Sequence, residues 1–564
     1  MRDDRTLAIT HVVVAVLLFI CALIFYYFSV LRIDYRDTRL LYFGYSDAAH
    51  YFAQARALLK NEWPSIQIGY DKLPSMYPVG YPALMLPWLK VLPEADSILA
   101  PFRTNQTVGL LLIFAVFGFY LYLGMPLTAG LATLLLATLP GFFTFCRSPT
   151  SEISASAFVA LAFMFAYLGL TEKRRWKIYL SAAFLGLSLD IRVQSLFFAP
   201  LLLAMPLFPV NGSPVRWFLH CLALLIVFVL AATPLLILNW IQFHSPLKTG
   251  YTFWVNPTWL ATHPQFSLRY IPSNTAMLWR ELTMRPQPLM VSHYFGTGTC
   301  FVTPFIVLVC VAMFFIRVDR FVICAFSAGL IYFALTISYY PLWMDLRFYL
   351  PLLILLVAVA VLPVTWAAAN LLLPKRSIAS IAIFALFAAA CLGYPSRSVD
   401  SRVEKARVRQ THRAKLLHRL EPPIRNLDRL QSWEALHFNS RLRESAEFIA
   451  QRRLIESVGK GGGIVFSEIS PIYLNALFPS GFTAAPLDEK KFAPFRHVFQ
   501  YDRAQAVALA ELGLRQSIPV YALFISMKER DEKASRLPTV PGYQWLPVEN
   551  SRDEAVILRL TSAQ

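Results

Sequence analysis

Forty consecutive residues, Thr107 to Cys146, contain no charged side chain, and twenty more, Val12 to Leu31, repeat the pattern near the N-terminus. About 20 apolar residues cross a bilayer as a helix, so the shorter run makes one span and the longer one a two-span hairpin turning at Leu123–Pro126. These blocks constrain the fold more than any other feature: the chain is a polytopic α-helical membrane protein. Composition agrees, with 57% hydrophobic and 15% charged residues in 564, against about 25% charged in an ordinary soluble protein. Collagenous, disordered and disulfide-scaffold classes are excluded.

The seven cysteines, at 21, 146, 221, 300, 310, 324 and 391, all lie in or beside apolar stretches with no CxxC pairing. They read as small hydrophobic packing groups, not as a disulfide or zinc framework. The N-terminal MRDDRT precedes an apolar run too long for a signal-peptide core and without a small-residue cleavage site, so a retained first helix is expected. The net charge is +18. Basic loops lying against anionic headgroups explain that excess, and nucleic-acid binding is not expected.

About eleven spans are expected, near 8–31, 107–124, 127–146, 153–171, 178–190, 193–209, 217–240, 299–316, 321–340, 349–373 and 378–395. The short basic loops TEKRRWK (171–177), RVDR (317–320) and PKRS (374–377) fall on the same side as the N-terminus, which should therefore be cytoplasmic. Arg32, Arg36 and Arg39 vote the other way. They begin a loop of about 75 residues, and long loops translocate despite their charge. The odd span count then places the C-terminal region outside the cytoplasm, as expected for a cell (inner) membrane protein with a periplasmic or extracytoplasmic tail.

Three regions follow. Residues 1–395 form the transmembrane region, interrupted by two outer loops, 32–106 and 241–298. Residues 396–455 hold 14 basic and 7 acidic residues and read as a basic helical linker on the membrane surface. Residues 456–564 change to short apolar runs (GGGIVFSE, IPVYALFIS, EAVILRLTS) around a helical Arg503–Gly513, the pattern of a small α/β domain. Within the first loop, DAAHYFAQARALL at 47–59 reads as a helix, and 78–92 as a helix along the interface. KGGG at 460–463 lacks the Walker pattern and precedes its strand, so it reads as a turn.

Charges beside a membrane core are costly, and the few at span ends are functional suspects. Asp47 follows the first span. Glu152 sits in CRSPTSEIS, Asp190 and Arg192 where the fifth span meets the sixth, and Asp345 and Arg347 in YYPLWMDLRFYLP. All are expected on the outer face. Each also has a plainer reading. Asp47 and Glu152 suit helix starts, Asp190 and Arg192 can neutralise each other, and Arg347 can anchor the interface beside Trp343.

Five segments together resemble the GT-C superfamily of membrane glycosyltransferases, which includes the protein O-mannosyltransferases and the lipid A aminoarabinose transferase. They are Asp47 with Tyr51 four residues on, YPVGYPAL at 77–84, SPTSEIS, SLDIRVQSLFFAPLLL, and NWIQFHSPLKTGY at 239–251. The match is similar in order and spacing over roughly residues 1–360. The resemblance implies transfer of a hexose or pentose from a polyprenyl-phosphate donor, with inversion, to a lipid, glycan or protein acceptor on the extracytoplasmic face. It implies Asp47 as the general base, with Glu152 as the second acidic position. Arg192, Lys248 and Arg347 are the candidates for the donor phosphate, and His50, Tyr51 and Tyr81 for substrate contact. An acceptor hydroxyl needs a carboxylate to take its proton, and a departing phosphate needs cations.

The chain also departs from the family. Ala48 stands where a second carboxylate is common. Met76-Tyr77 replace an acidic-Lys pair found in aminoarabinose-transferase-like members, and His244 replaces a glycine. No nucleotide is required and no nucleotide motif is present, while His244, with His50, leaves room for a divalent cation near Asp47. Two other readings remain. A transporter or flippase of a lipid-linked substrate predicts inverted repeats and broken midplane helices. A non-enzymatic assembly factor predicts indifference to Asp47.

Overall fold

The long apolar blocks fold as helices, and the prolines inside them decide where each helix stops. The computed structural model describes residues 2–31, 46–69, 71–201, 213–255, 257–282, 307–316, 319–340, 346–370, 453–459, 461–467, 471–477, 481–487, 503–548 and 556–563. Among these, five helices are long and apolar enough to cross a membrane: Ile9–Leu31, Asp96–Tyr122, Glu152–Thr171, Pro214–Ala231 and Arg347–Trp366. Pro126–Thr138 and Phe321–Ile337 are shorter apolar helices.

Three expected spans are broken. The 127–146 stretch is two helices, Pro126–Thr138 and Pro140–Cys146, separated at the extended Leu139. A residue preceding proline is pushed out of the helical region, which is what Pro140 does here. The 217–240 stretch breaks at Ala232, ahead of Pro234. The 349–373 stretch breaks at Val361, ahead of Pro363. The 193–209 stretch opens as a 3-10 turn, Val193–Phe198. The expected 378–395 span and most of the 396–455 linker lie outside the described residues, as do Asp345, Cys300, Cys391, 202–209 and 299–306.

The chain divides into two units, each assembled from separated stretches. The first comprises Met1–Asp34, Phe102–Pro234 and Pro264–His437; the second comprises Tyr35–Pro101, Leu235–His263 and Phe438–Gln564. In the first unit, Glu152–Thr171 packs against Arg175–Ile191, and the N-terminal helix against Pro126–Thr138. The latter contact is close because both partners are small: a Cβ on Gly130 would lie 2.9 Å from the Ala15 Cα. Small residues let helix backbones approach where water-driven burial is absent.

The second unit is built around two sheets. A hairpin pairs β1 (Ser65–Ile68) with β2 (Asp71–Pro74), Ile68 opposite Asp71. The C-terminal sheet contains β3 (Gly463–Ser467), β4 (Phe482–Pro486), β5 (Val520–Phe524), β6 (Tyr543–Pro547) and β7 (Val556–Ser562), in the order β4-β3-β5-β7-β6. β3 runs parallel to β4 and β5, whereas β7 is antiparallel to β5 and β6. Every residue of β3, β4 and β5 is buried, as expected for parallel strands covered on both faces. One face packs Ile464, Phe466 and Val520 against Ala506, Leu509 and Ala510 of the Arg503–Arg515 helix. The other gathers Val465, Leu474, Ala484, Leu523 and Ile557.

Candidate functional site

Two polar clusters, one in each unit, collect most of the expected site residues. In the second unit, the Ser46–Leu59 helix carries Asp47 in its first turn, where the helix dipole favours a carboxylate. Asp47 is buried, and the Tyr77 hydroxyl donates to its Oδ1 at 2.6 Å. Residues 3 and 4 further on share a helix face, and here they are His50 and Tyr51. The His50 ring meets Tyr77 and Trp254 edge-on at 5.3 and 5.4 Å, and Tyr51 meets Tyr77 and Tyr81 at 5.1 and 5.0 Å. Tyr251 closes on Tyr77 from another side, at 5.7 Å.

The backbone that delivers Tyr77 is held at several points. Ser75 Oγ accepts from the Tyr77 amide at 3.2 Å and lies 3.4 Å from His50 Nδ1. Gln54 Nε2 donates to the Tyr77 carbonyl at 3.3 Å, and Trp254 Nε1 to the Pro74 carbonyl at 2.8 Å. Gly250 lies so close to Ser75 and Met76 that a Cβ there would collide with the Ser75 carbonyl. This accounts for the glycine of the KTGY segment at 248–251.

Burial decides the protonation of the groups around Asp47. It pushes the Tyr77 phenol well above its ordinary range, with the nearby Asp47 charge acting in the same direction. The phenol therefore remains a donor. His50 is pulled down to about 4 by burial, against the opposing pull of Asp47, so the imidazole is neutral at working pH. A histidine that titrates near 6.5 unfolded and near 4 folded takes up protons preferentially when unfolded. Its contribution to stability is present above about pH 6.5 and lost as pH falls through about 4. The detergent-solubilised protein should lose about 3 kcal/mol of stability from this group between about pH 7 and pH 4. Comparing thermal unfolding of wild type and His50→Gln across that range checks this; a slope unchanged in the variant would refute it.

The remaining expected residues of this unit lie differently. Tyr81 is fully buried and its hydroxyl donates to the Pro101 carbonyl. Lys248 and His244 are exposed, His244 in a left-handed backbone conformation. Among the described residues no group of three or more His, Cys, Asp or Glu side chains could hold a metal ion.

In the first unit, Glu152 opens its helix after Ser151. Arg192 Nη1 bonds Glu152 Oε1 at 2.5 Å and Ser151 Oγ at 3.3 Å, and Arg347 Nε reaches the same Oε1 at 3.4 Å. Both guanidinium groups lie near the Phe348 ring, at 4.9 and 5.3 Å from its centroid. Asp190 is buried in the Arg175–Ile191 helix, two residues before Arg192. Asn105 shapes the turn that presents Glu152. Its Nδ2 donates to the Ser148 and Thr150 carbonyls, and its Oδ1 accepts from Ser154 Oγ. Two guanidinium groups thus converge on one carboxylate, and guanidinium is the side-chain group that suits phosphate recognition.

Sequence reasoning missed Tyr77, Asn105, Tyr251 and Trp254. Tyr77 had a signal, since it stands at the position where the resembling family carries a charged pair. Tyr251 had one too, as the last residue of the NWIQFHSPLKTGY segment; Asn105 and Trp254 are defined only by long-range contacts.

No protein-family model matches the chain, and no characterised protein matches it by sequence. Solved structures do. ArnT from Cupriavidus metallidurans, bound to undecaprenyl phosphate, aligns over 96% of this chain and 97% of its own, with TM-score 0.56 and 15% identity. The apo form of the same protein gives 0.55 over the same shares, also at 15% identity. The mycobacterial arabinofuranosyltransferase AftD aligns with 97% of this chain but 40% of its own, at 15% identity and TM-score 0.41, too low to carry an argument.

Proposed function

We propose that this chain, which has the fold of the GT-C membrane glycosyltransferases, transfers a hexose or pentose from a polyprenyl-phosphate donor to a lipid, glycan or protein acceptor. The observation that carries this reading is a buried carboxylate, Asp47, held by a phenol that stays protonated, within a membrane fold like that of ArnT in complex with undecaprenyl phosphate. Each polar cluster has the chemistry that one half of the reaction requires. Asp47 takes the acceptor hydroxyl proton as its oxygen bonds to the anomeric carbon. The bond from that carbon to the phosphate oxygen breaks on the opposite side, which inverts the centre. The lipid phosphate leaves with the electron pair, its charge met by Arg192 and Arg347, with Lys248 as a further candidate. Glu152 accepts from Arg192 and is ion-paired with Arg347, and its role in this scheme is to hold them in position.

Under this reading the protein is a multi-pass inner-membrane enzyme of about eleven spans. Its N-terminus is cytoplasmic, and its C-terminal domain and acceptor lie on the extracytoplasmic side. Tyr77 anchors one oxygen of Asp47. A hydrogen bond to a charged group contributes about 1.5–3 kcal/mol, so Tyr77→Phe should lower kcat by roughly tenfold or more with donor KM little changed. Steady-state kinetics in both substrates check this, and a wild-type kcat would remove Tyr77 from the mechanism. The reading as a whole is tested by presenting a panel of polyprenyl-phosphate sugars, radiolabelled in the sugar, to purified protein and a membrane extract. Label should move from one donor class into acceptor material; no transfer from any donor would overturn the proposal.

A further inference from the structure

The hairpin β1–β2 joins the Asp47 helix to the Ser75–Tyr77 segment, and its turn is fastened to the C-terminal sheet. The Gly69 amide donates to the Ala484 carbonyl of β4 at 2.9 Å. Gln67 Nε2 reaches Thr483 Oγ1 at 3.4 Å and the Gly69 carbonyl at 3.0 Å. Asn475, on the Pro471–Leu477 helix between β3 and β4, spans the junction. Its Oδ1 accepts from the Ala484 amide at 2.6 Å, and its Nδ2 donates to the Gln67 carbonyl at 2.7 Å and the Ala484 carbonyl at 3.3 Å. One amide side chain thus bonds the edge strand of the C-terminal sheet and the hairpin together. Ile66 and Ile68 are buried on the hairpin, and the Pro471–Leu477 helix packs on both β1 and the Asp47 helix.

The far end of the hairpin enters the cluster. The Pro74 carbonyl is held by Trp254, Ser75 faces His50, and Tyr77 holds Asp47. We propose that the C-terminal domain positions the Asp47 carboxylate through this hairpin, with Asn475 as the positioning residue that latches the two together. The proposal rests on the reading of Asp47 as the base. It gives the C-terminal domain a part in the reaction without any contact to substrate. Loss of the latch frees the hairpin turn, and the Ser75–Tyr77 segment then no longer holds the phenol at a fixed distance from Asp47. Small misplacements of a catalytic group are costly because the acceptor must meet it within hydrogen-bond reach.

The test compares full-length wild type, Asp47→Asn, Asn475→Ala and Gln67→Ala in the transfer assay, with hydrogen exchange followed at 65–74 and 463–467. Asn475→Ala should lower kcat about tenfold while donor KM stays within about twofold, since positioning acts on the chemical step. Exchange should accelerate at 65–74 and stay slow at 463–467. Gln67→Ala leaves the Asn475 bonds to β4 in place and should show the same pattern, more weakly. If both variants turn over at the wild-type kcat while Asp47→Asn is inactive, the latch is wrong and the base assignment stands. An active Asp47→Asn would instead overturn the base assignment, and the latch with it. If Asn475→Ala loses protection throughout 463–467 while Gln67→Ala keeps the wild-type kcat, Asn475 only holds its own domain together and the proposal fails.

Discussion

Asp47→Asn, purified and folded, should lose sugar transfer by about 10²–10⁴-fold, the usual contribution of a positioned general base, and should keep its unfolding temperature. The substitution is close to isosteric. The carbonyl oxygen of the introduced amide can still accept from the Tyr77 hydroxyl, so the geometry of the cluster survives while proton affinity is lost. The expected kinetic signature is a fall in kcat and kcat/KM together with unchanged donor affinity, because the lost interaction exists only in the transition state. The measurement is single-turnover transfer of labelled sugar, with thermal unfolding run on the same preparation. A variant that transfers as fast as wild type removes Asp47 as the base. An assembly factor or a flippase would then become the better account of the chain.

Arg192→Met should show two effects that can be separated. Glu152 is 2% exposed and Arg192 8%, so deleting the arginine strips a buried carboxylate of its 2.5 Å partner. Breaking a buried ion pair from one side costs about 3–5 kcal/mol, which should appear as a large drop in unfolding temperature. Removing a cation from the departing phosphate should cost about 10²–10³-fold in rate, by analogy with the loss of one donor from a charge-stabilising site. The double variant Arg192→Met/Glu152→Gln separates them. The double variant no longer holds an unmatched Glu152, but it leaves Arg347 without its carboxylate, so stability should return only in part while transfer stays low. Return of both would show that Arg192 serves only to neutralise Glu152. Arg347→Met should cost less stability, since its contact to Glu152 is longer at 3.4 Å.

The parts of this arrangement legible in the sequence are those written locally. The Asp47 helix, with His50 and Tyr51 at helical spacing, follows from DAAHYFAQARALL. Strands β3, β5 and β7 are apolar β-branched or aromatic runs, and the Arg503–Arg515 helix is amphipathic. The helix breaks at Leu139, Ala232 and Val361 were hidden because an all-apolar stretch has no periodicity to interrupt; the prolines were the only signal. Strand β4, FTAAP, carries two alanines and a proline, residues depleted in strands. The hairpin strand DKLP is short and half polar. The Tyr77–Asp47 bond joins residues 30 apart, and the two arginines meet Glu152 from two later parts of the chain. Such pairings are properties of the tertiary fold, and no local pattern announces them.

The interleaving of the second unit bears on how the protein is made. Gln67 and Thr483 are 416 residues apart, and Asn475 reaches a carbonyl 408 residues before it. The stretch that carries Asp47 leaves the ribosome about 400 residues ahead of the strand that holds its hairpin. Contacts this remote form slowly and only once both partners exist. The Asp47 cluster therefore stays unfinished through most of synthesis and membrane insertion, and a nascent chain cut short before β4 lacks its fastening. Synthesis through β4 is built in as a condition for assembling the candidate base.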